Sequence, residues 1–204
     1  MEQIQLANKS FARILLAHGA GAGSDSEFMQ QLANALNHHG VAPILFDFPY
    51  MVKAKALQKR RPPDRMPILL KAMTDQAAQL PSDLPLVLAG KSMGGRVATM
   101  LLDELGVPGI AYGYPFHPLG KPENLRVEHL QTINQPLLVL QGERDGFGKP
   151  EEVAGYSLPT NVEVCWLADG DHSFKPRKAS GYSQLEHIEF AAKRSAQFIQ
   201  EHLC

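Results

Sequence analysis

Six short apolar runs alternate with helix-patterned segments along the whole chain, and this alternation restricts the fold more than any other feature. The candidate strands are Ala12–Ala17, Val41–Asp47, Leu84–Gly90, Gly109–Tyr114, Pro136–Gln141 and Val162–Leu167. They are rich in Val, Ile and Leu and lack polar alternation, the pattern of strands covered on both faces. Between them lie candidate helices Ser26–His39, Pro67–Leu80, Met93–Leu105 and Tyr182–Leu203. In the last, Leu185, Ile188, Ala192, Ser195 and Ile199 recur at helical spacing. Gly40 and Gly106 stand where the first and third helices should stop. Strand–helix alternation predicts a mostly parallel sheet of about six strands with helices on both faces. At 204 residues the chain suits one core, so residues 1–204 are expected to form a single α/β domain.

The third strand runs into Gly90-Lys91-Ser92-Met93-Gly94-Gly95, a G-x-S-x-G turn between a strand and a helix. The pattern is common by chance, so its setting must carry the inference. So sharp a turn crowds the positions two residues either side of the serine, and glycine removes the Cβ there. Ser92 is thereby the candidate nucleophile. Asp145 and His172 follow, each just past an apolar run, giving the chain order Ser, Asp, His. A serine hydroxyl needs a base, and the base needs an acceptor to orient it. His172 is the candidate base and Asp145 the candidate acceptor. Glu143 is a rival acid two residues earlier, and Asp171 reads as a loop residue. Loops that follow parallel strands share one sheet edge, so the three side chains can converge there.

An acyl-transfer site also needs donors for a developing oxyanion. The backbone N–H of Met93 is one candidate. The second is placed at Ala20, with Gly19 or Gly21 as alternatives, in the loop His18-Gly19-Ala20-Gly21-Ala22-Gly23-Ser24. That loop lacks the G-K-[ST] ending of a phosphate loop and the G-x-G-x-x-G spacing of a dinucleotide turn. His18 is read as a buttress of the loop. Lys91 and His117 are weaker candidates for contacting substrate, with structural roles as their alternatives. Lys53, Lys55, Lys59, Arg60, Arg61 and Arg65 face only Asp64 within Lys53–Arg65, which is read as a mobile, solvated flap or a basic lip for anionic substrates.

Taken together, these motifs resemble the α/β-hydrolase superfamily. His18-Gly19-Ala20-Gly21-Ala22 resembles its oxyanion loop, the Ser92 turn its nucleophile elbow, and Gly170-Asp171-His172-Ser173-Phe174 its histidine loop. The likeness runs from about Arg13 to the C-terminus, with early antiparallel strands reduced to Ile4–Leu6 or absent. Within the superfamily the chain is most similar to compact dienelactone-hydrolase-like proteins. It also resembles the hydrolase-like domain of the testis-expressed and non-specific-lethal-complex subunit proteins. Phe48-Pro49-Tyr50 and Arg61-Pro62-Pro63-Asp64-Arg65 carry that finer likeness. Dienelactone hydrolase itself has a cysteine nucleophile where this chain has Ser92. The resemblance implies a single-domain α/β-hydrolase fold with little or no lid and a serine hydrolase of carboxylesterase type using no cofactor. The alternatives are an acyltransferase, or an interaction domain that kept the fold.

The bulk numbers favour none of the other large function classes. A net charge of −1, with 44% apolar and 20% charged residues, gives no footprint for nucleic acid or a membrane surface. No C-x-x-C or histidine spacing of a metal site occurs. The N-terminus lacks a basic segment followed by a long apolar stretch, and the two cysteines, Cys165 and Cys204, suggest no disulfide framework. The expected partner is a small acyl substrate and the expected location cytoplasmic; oligomeric state is left open.

Overall fold

A computed structural model of the chain describes residues 10–203. Six strands form one all-parallel sheet: β1 (Ala12–Ala17), β2 (Val41–Phe46), β3 (Leu86–Lys91), β4 (Gly109–Tyr112), β5 (Leu137–Gly142) and β6 (Val162–Leu167). Their spatial order is β2-β1-β3-β4-β5-β6. Every strand lies within two residues of its predicted bounds. The suggested Ile4–Leu6 strand falls outside the described residues.

The apolar runs are continuous because alternate residues serve two cores. Ile14, Leu16, Val87, Ala89, Ile110, Leu138 and Leu140 face one side. There they meet α1 (Glu27–His38) and α7 (Gln184–Leu203) through Met29, Leu32, Ile188 and Ala192. Leu15, Ala17, Leu88, Ala111, Leu137 and Val139 face the other. There they meet α2 (Pro49–Ala56), α3 (Met66–Ala78), α4 (Met93–Thr99) and α5 (Leu102–Leu105). A strand buried on both sides has no polar face to show.

Two expectations need correction. Lys53–Arg65 is no free flap at its start: residues Pro49–Ala56 are helical, with Pro49 at the first turn and Lys53 and Lys55 in the last. Proline suits a first turn, and cations suit a helix C-terminus. Lys55 also pairs with Asp25 and Asp47. Tyr50 is the one residue that α2 buries, so hydrophobic periodicity gave no helical signal there. The helix expected over Met93–Leu105 is broken between α4 and α5, where Leu101 N–H bonds the Ala98 carbonyl three residues back. Beyond it, Gly106 ends α5 at φ +65°, and Gly40 follows α1 at φ +77°, as their stop roles require.

The connection from β4 to β5 spans residues 113–136 and holds only a 3₁₀ turn at Glu128–Thr132. Tyr114, Phe116, Val127 and Leu130 are buried in it. These side chains bind the segment to the core instead of letting it project as a lid. α6 (Pro150–Val153) follows β5. No described helix is long and apolar enough to cross a membrane.

The strand order reverses direction at β1, with β2 on one side and β3 on the other. Ala17 at the end of β1 pairs with Gly90 near the end of β3. The crevice beyond such a switch point is where open α/β sheets hold ligands. Here it receives the loop after β1 and the turn that carries Ser92.

Candidate active site

The turn after β3 is forced by its neighbours. Ser92 sits at φ 51° and ψ −114°, a left-handed conformation that a non-glycine residue seldom adopts. A Cβ on Gly90 would lie 2.3 Å from the Gly94 carbonyl carbon. One on Gly94 would lie 2.6 Å from the Ala17 and His18 oxygens. Only glycine lets β1, β3 and α4 approach so closely. The Ser92 N–H bonds the Tyr112 carbonyl at 3.0 Å, and Ser92 in turn accepts the Arg96 N–H at 3.0 Å. Through its N–H and its carbonyl, the Ser92 backbone is thus fixed between sheet and helix.

Ser92, His172 and Asp145 meet. His172 Nε2 lies 2.9 Å from Ser92 Oγ, and its Nδ1 lies 2.7 Å from Asp145 Oδ2. Asp145 is fully buried. Its Oδ1 accepts the Phe147 N–H at 2.9 Å, and its Oδ2 also accepts Gln141 Nε2 at 3.0 Å. A carboxylate so placed accepts a hydrogen bond from the Nδ1–H of His172. That tautomer turns the Nε2 lone pair to the serine. Phe147 packs on the imidazole with ring centroids 4.4 Å apart.

The loop around His172 is held by others. Asp171 Oδ1 accepts the N–H groups of Ser173 and Lys175 at 2.8 and 3.0 Å, closing its own turn. Glu143 accepts the Asp169 N–H at 2.9 Å, so the rival acid ties two loops and leaves His172 to Asp145. A Cβ on Gly142 would strike the Gly170 oxygen at 2.4 Å. The end of β5 therefore presses on the loop that follows β6.

The loop after β1 passes beside Ser92: a Cβ on Gly19 would stand 3.6 Å from Ser92 Cβ. His18 is buried. Its Nε2 accepts the Phe48 N–H at 3.1 Å, so the proton sits on Nδ1, which donates to the Gly19 carbonyl at 2.6 Å. Burial holds this imidazole below its ordinary pKa, and it stays neutral. Tyr50 adds its hydroxyl, 3.1 Å from the Gly19 and Ala20 carbonyls alike. In a trans peptide the N–H points opposite the carbonyl. With both carbonyls bound to His18 and Tyr50, the N–H groups of Ala20 and Gly21 face away from them. Among the described residues, neither Ala20 N–H nor Met93 N–H donates to a protein acceptor.

Lys91 and His117, the two weaker substrate-contact candidates, are not on the open side of Ser92. Lys91 is 8% exposed, and its Nζ is sealed without a hydrogen-bond partner, 5.7 Å from the Phe28 ring centroid. A Cβ on Gly113 would lie 3.0 Å from that Nζ and 3.3 Å from His172 Nδ1, so the amine stands behind the imidazole. Burial pushes the amine down to about 8, against the pull of Asp145 and Asp171. His117 is 2% exposed; its Nδ1 meets the Pro118 carbonyl at 2.9 Å, and its Nε2 is buried 3.6 Å from Glu152. A substrate group would have to enter the interior to touch either.

Sequence reasoning left Tyr50, Gln141, Gly113 and Phe147 without roles. Gln141 left a readable signal, as the polar residue ending the apolar run of β5. Gly113, at φ +67° directly after β4, left another. Tyr50 stood in the quoted Phe48-Pro49-Tyr50 without a partner that sequence could supply, and nothing marked Phe147.

Comparison with known proteins agrees with this geometry at the level of fold. The chain has a TM-score of 0.70 and 21% identity to dienelactone hydrolase from Anabaena variabilis, covering 98% of this chain and 90% of that one. For an alpha-beta serine hydrolase homologue from Coxiella burnetii the values are 0.69 and 19%, covering 92% and 86%. For the esterase domain of a Rhodothermus marinus protein they are 0.65 and 19%, covering 97% and 90%. Such identities speak for the fold alone. No curated protein matches in sequence. The model of the alpha/beta hydrolase domain matches residues 10–200. With that match over nearly the whole chain, this protein belongs to the alpha/beta hydrolase family.

Proposed function

We propose that the protein is a serine hydrolase, a carboxylesterase acting on small acyl substrates. The observation that carries this reading is the unbroken line from Ser92 Oγ through His172 to buried Asp145, with contacts of 2.9 and 2.7 Å. Ser92 Oγ attacks the ester carbonyl carbon as its proton passes to His172 Nε2. Asp145 stabilises the imidazolium without taking the proton. The N–H groups of Met93 and Ala20 hold the oxyanion. His172 then protonates the leaving alcohol as the C–O bond breaks, and an acyl-serine remains. Water, deprotonated by His172, attacks that ester. The acid leaves and Ser92 recovers its proton.

The oxyanion role of the loop after β1 depends on Tyr50 and His18 holding its carbonyls away. Tyr50→Phe should lower kcat toward p-nitrophenyl acetate by roughly five- to tenfold, the worth of one neutral hydrogen bond. KM should change little, because the donors engage a charge that develops only in the transition state. Steady-state kinetics on the variant check this; a change confined to KM would remove the loop from the oxyanion site.

Hydrolysis is distinguished from acyl transfer by the fate of the acyl group. Turnover of p-nitrophenyl acetate in water with added methanol or a small thiol should yield acetate as the main product. An acetylated acceptor dominating at millimolar acceptor would make the protein an acyltransferase.

A further inference from the structure

Two partly buried arginines, one of them four residues past the nucleophile, have no acid to balance them. Arg13, Arg144, Arg177 and Arg194 each face a carboxylate. Among the described residues, Arg96 and Arg126 have no carboxylate within ion-pair distance, though both are only partly exposed. Arg96 lies one helical turn past Ser92 on α4, about 6 Å along the axis. Helical side chains lean toward the helix N-terminus, which here is the Ser92 end. Arg96 shares the partly open strip of α4 with Met93, three residues before it.

Arg126 comes toward α4 from the loop after β4. Its N–H bonds the Phe116 carbonyl at 2.7 Å, and its carbonyl accepts the Tyr114 hydroxyl at 2.8 Å. Thr99 links the two sides. Its Oγ1 donates to the Arg96 carbonyl at 2.9 Å and meets His129 Nε2 at 2.9 Å; His129 Nε2 is also 3.4 Å from the Tyr114 hydroxyl. The neutral polar groups of this cluster thus bond one another. Arg96 Nε is buried with no protein hydrogen-bond partner. Burial and the nearby Arg96 charge both hold Arg126 below its ordinary pKa, and the same two causes push His129 down to about 4. Two cations and a fixed set of donors in one partly buried place suit a carboxylate or phosphate, for which arginine offers paired N–H groups.

We propose that Arg96 and Arg126 together receive an anionic group, a carboxylate or a phosphate, carried by the acyl substrate. The proposal rests on the esterase reading and sharpens it: the substrate is a small acidic ester. The basic residues of the Lys53–Arg65 segment are not needed for it.

Two esters of matched length test it, neutral p-nitrophenyl butyrate and anionic mono-p-nitrophenyl glutarate. At low salt the wild-type protein should favour the glutarate ester by on the order of tenfold in kcat/KM, and added salt should shrink the preference. Arg126→Gln should remove the preference, with the loss appearing as a raised KM for the glutarate ester. Binding is read independently in Ser92→Ala protein, where turnover is too slow to consume the ligand. Glutarate or inorganic phosphate should raise its melting temperature, and Arg126→Gln in that background should abolish the rise. A rise with phosphate alone assigns the site to phosphorylated substrates, and a rise with glutarate alone to carboxylates. Equal kcat/KM for the two esters, with no shift from either anion, overturns the proposal and leaves the esterase reading standing. An anion shift that survives Arg126→Gln overturns it too. Failure to hydrolyse either ester sinks the esterase reading, and with it the substrate assignment.

Discussion

Ser92→Ala should reduce kcat toward p-nitrophenyl acetate by roughly 10⁴- to 10⁶-fold while the fold persists, because triad members act as one unit. The residual rate is what the oxyanion donors and substrate binding supply by themselves. The same position predicts a trade of activity for stability. Serine at φ 51° is held in a conformation that costs about 1–3 kcal/mol. Ser92→Gly should recover part of this and melt at a higher temperature than the wild type, with activity equally lost. Thermal melts and steady-state rates on the two variants check both halves. An active alanine variant would remove the nucleophile assignment.

Asp145→Asn comes second in expected effect, at roughly 10⁴-fold in kcat with little change in KM. The side chain is fully buried, and its two oxygens accept hydrogen bonds from His172, Phe147 and Gln141. Asparagine keeps the size but has only one carbonyl oxygen. That oxygen can remain with the Phe147 N–H, which presents the amide NH₂ to His172 Nδ1. The imidazole must then carry its proton on Nε2 and offer Ser92 a donor in place of an acceptor. The melting temperature separates this tautomer effect from collapse of the loop. A near-normal kcat in the folded variant would show that another group orients His172. Glu143 would be the first to examine, although it is engaged with Asp169 N–H.

How far these features could be read in advance follows from what each depends on. Strands buried on both faces advertise themselves as apolar runs, and the Ser92 turn does so through glycines that steric contact demands. Chain order alone places Ser92, Asp145 and His172 at one sheet edge, because parallel strands end together. The helix Pro49–Ala56 went unread because it buries one residue and is held by Lys55 reaching Asp25 and Asp47. These are tertiary ion pairs, with no local pattern. Lys91 and His117 are weak substrate-contact candidates in sequence because each stands near a strand end, where a structural role is the alternative. Which side a residue faces there depends on the pleat and on neighbours such as Phe28 and Glu152, distant in sequence. The same limit hid Arg96 and Arg126, thirty residues apart and joined only through Thr99, His129 and Tyr114.

The most direct test of the catalytic account is the intact mass of the folded protein after reaction with a fluorophosphonate. An activated serine displaces fluoride and keeps the phosphonyl group. The account predicts a single adduct mapped to Ser92 in the wild type, none in Ser92→Ala, and markedly slower labelling in Asp145→Asn. No adduct on folded wild-type protein, or equal labelling of Ser92→Ala, would contradict it.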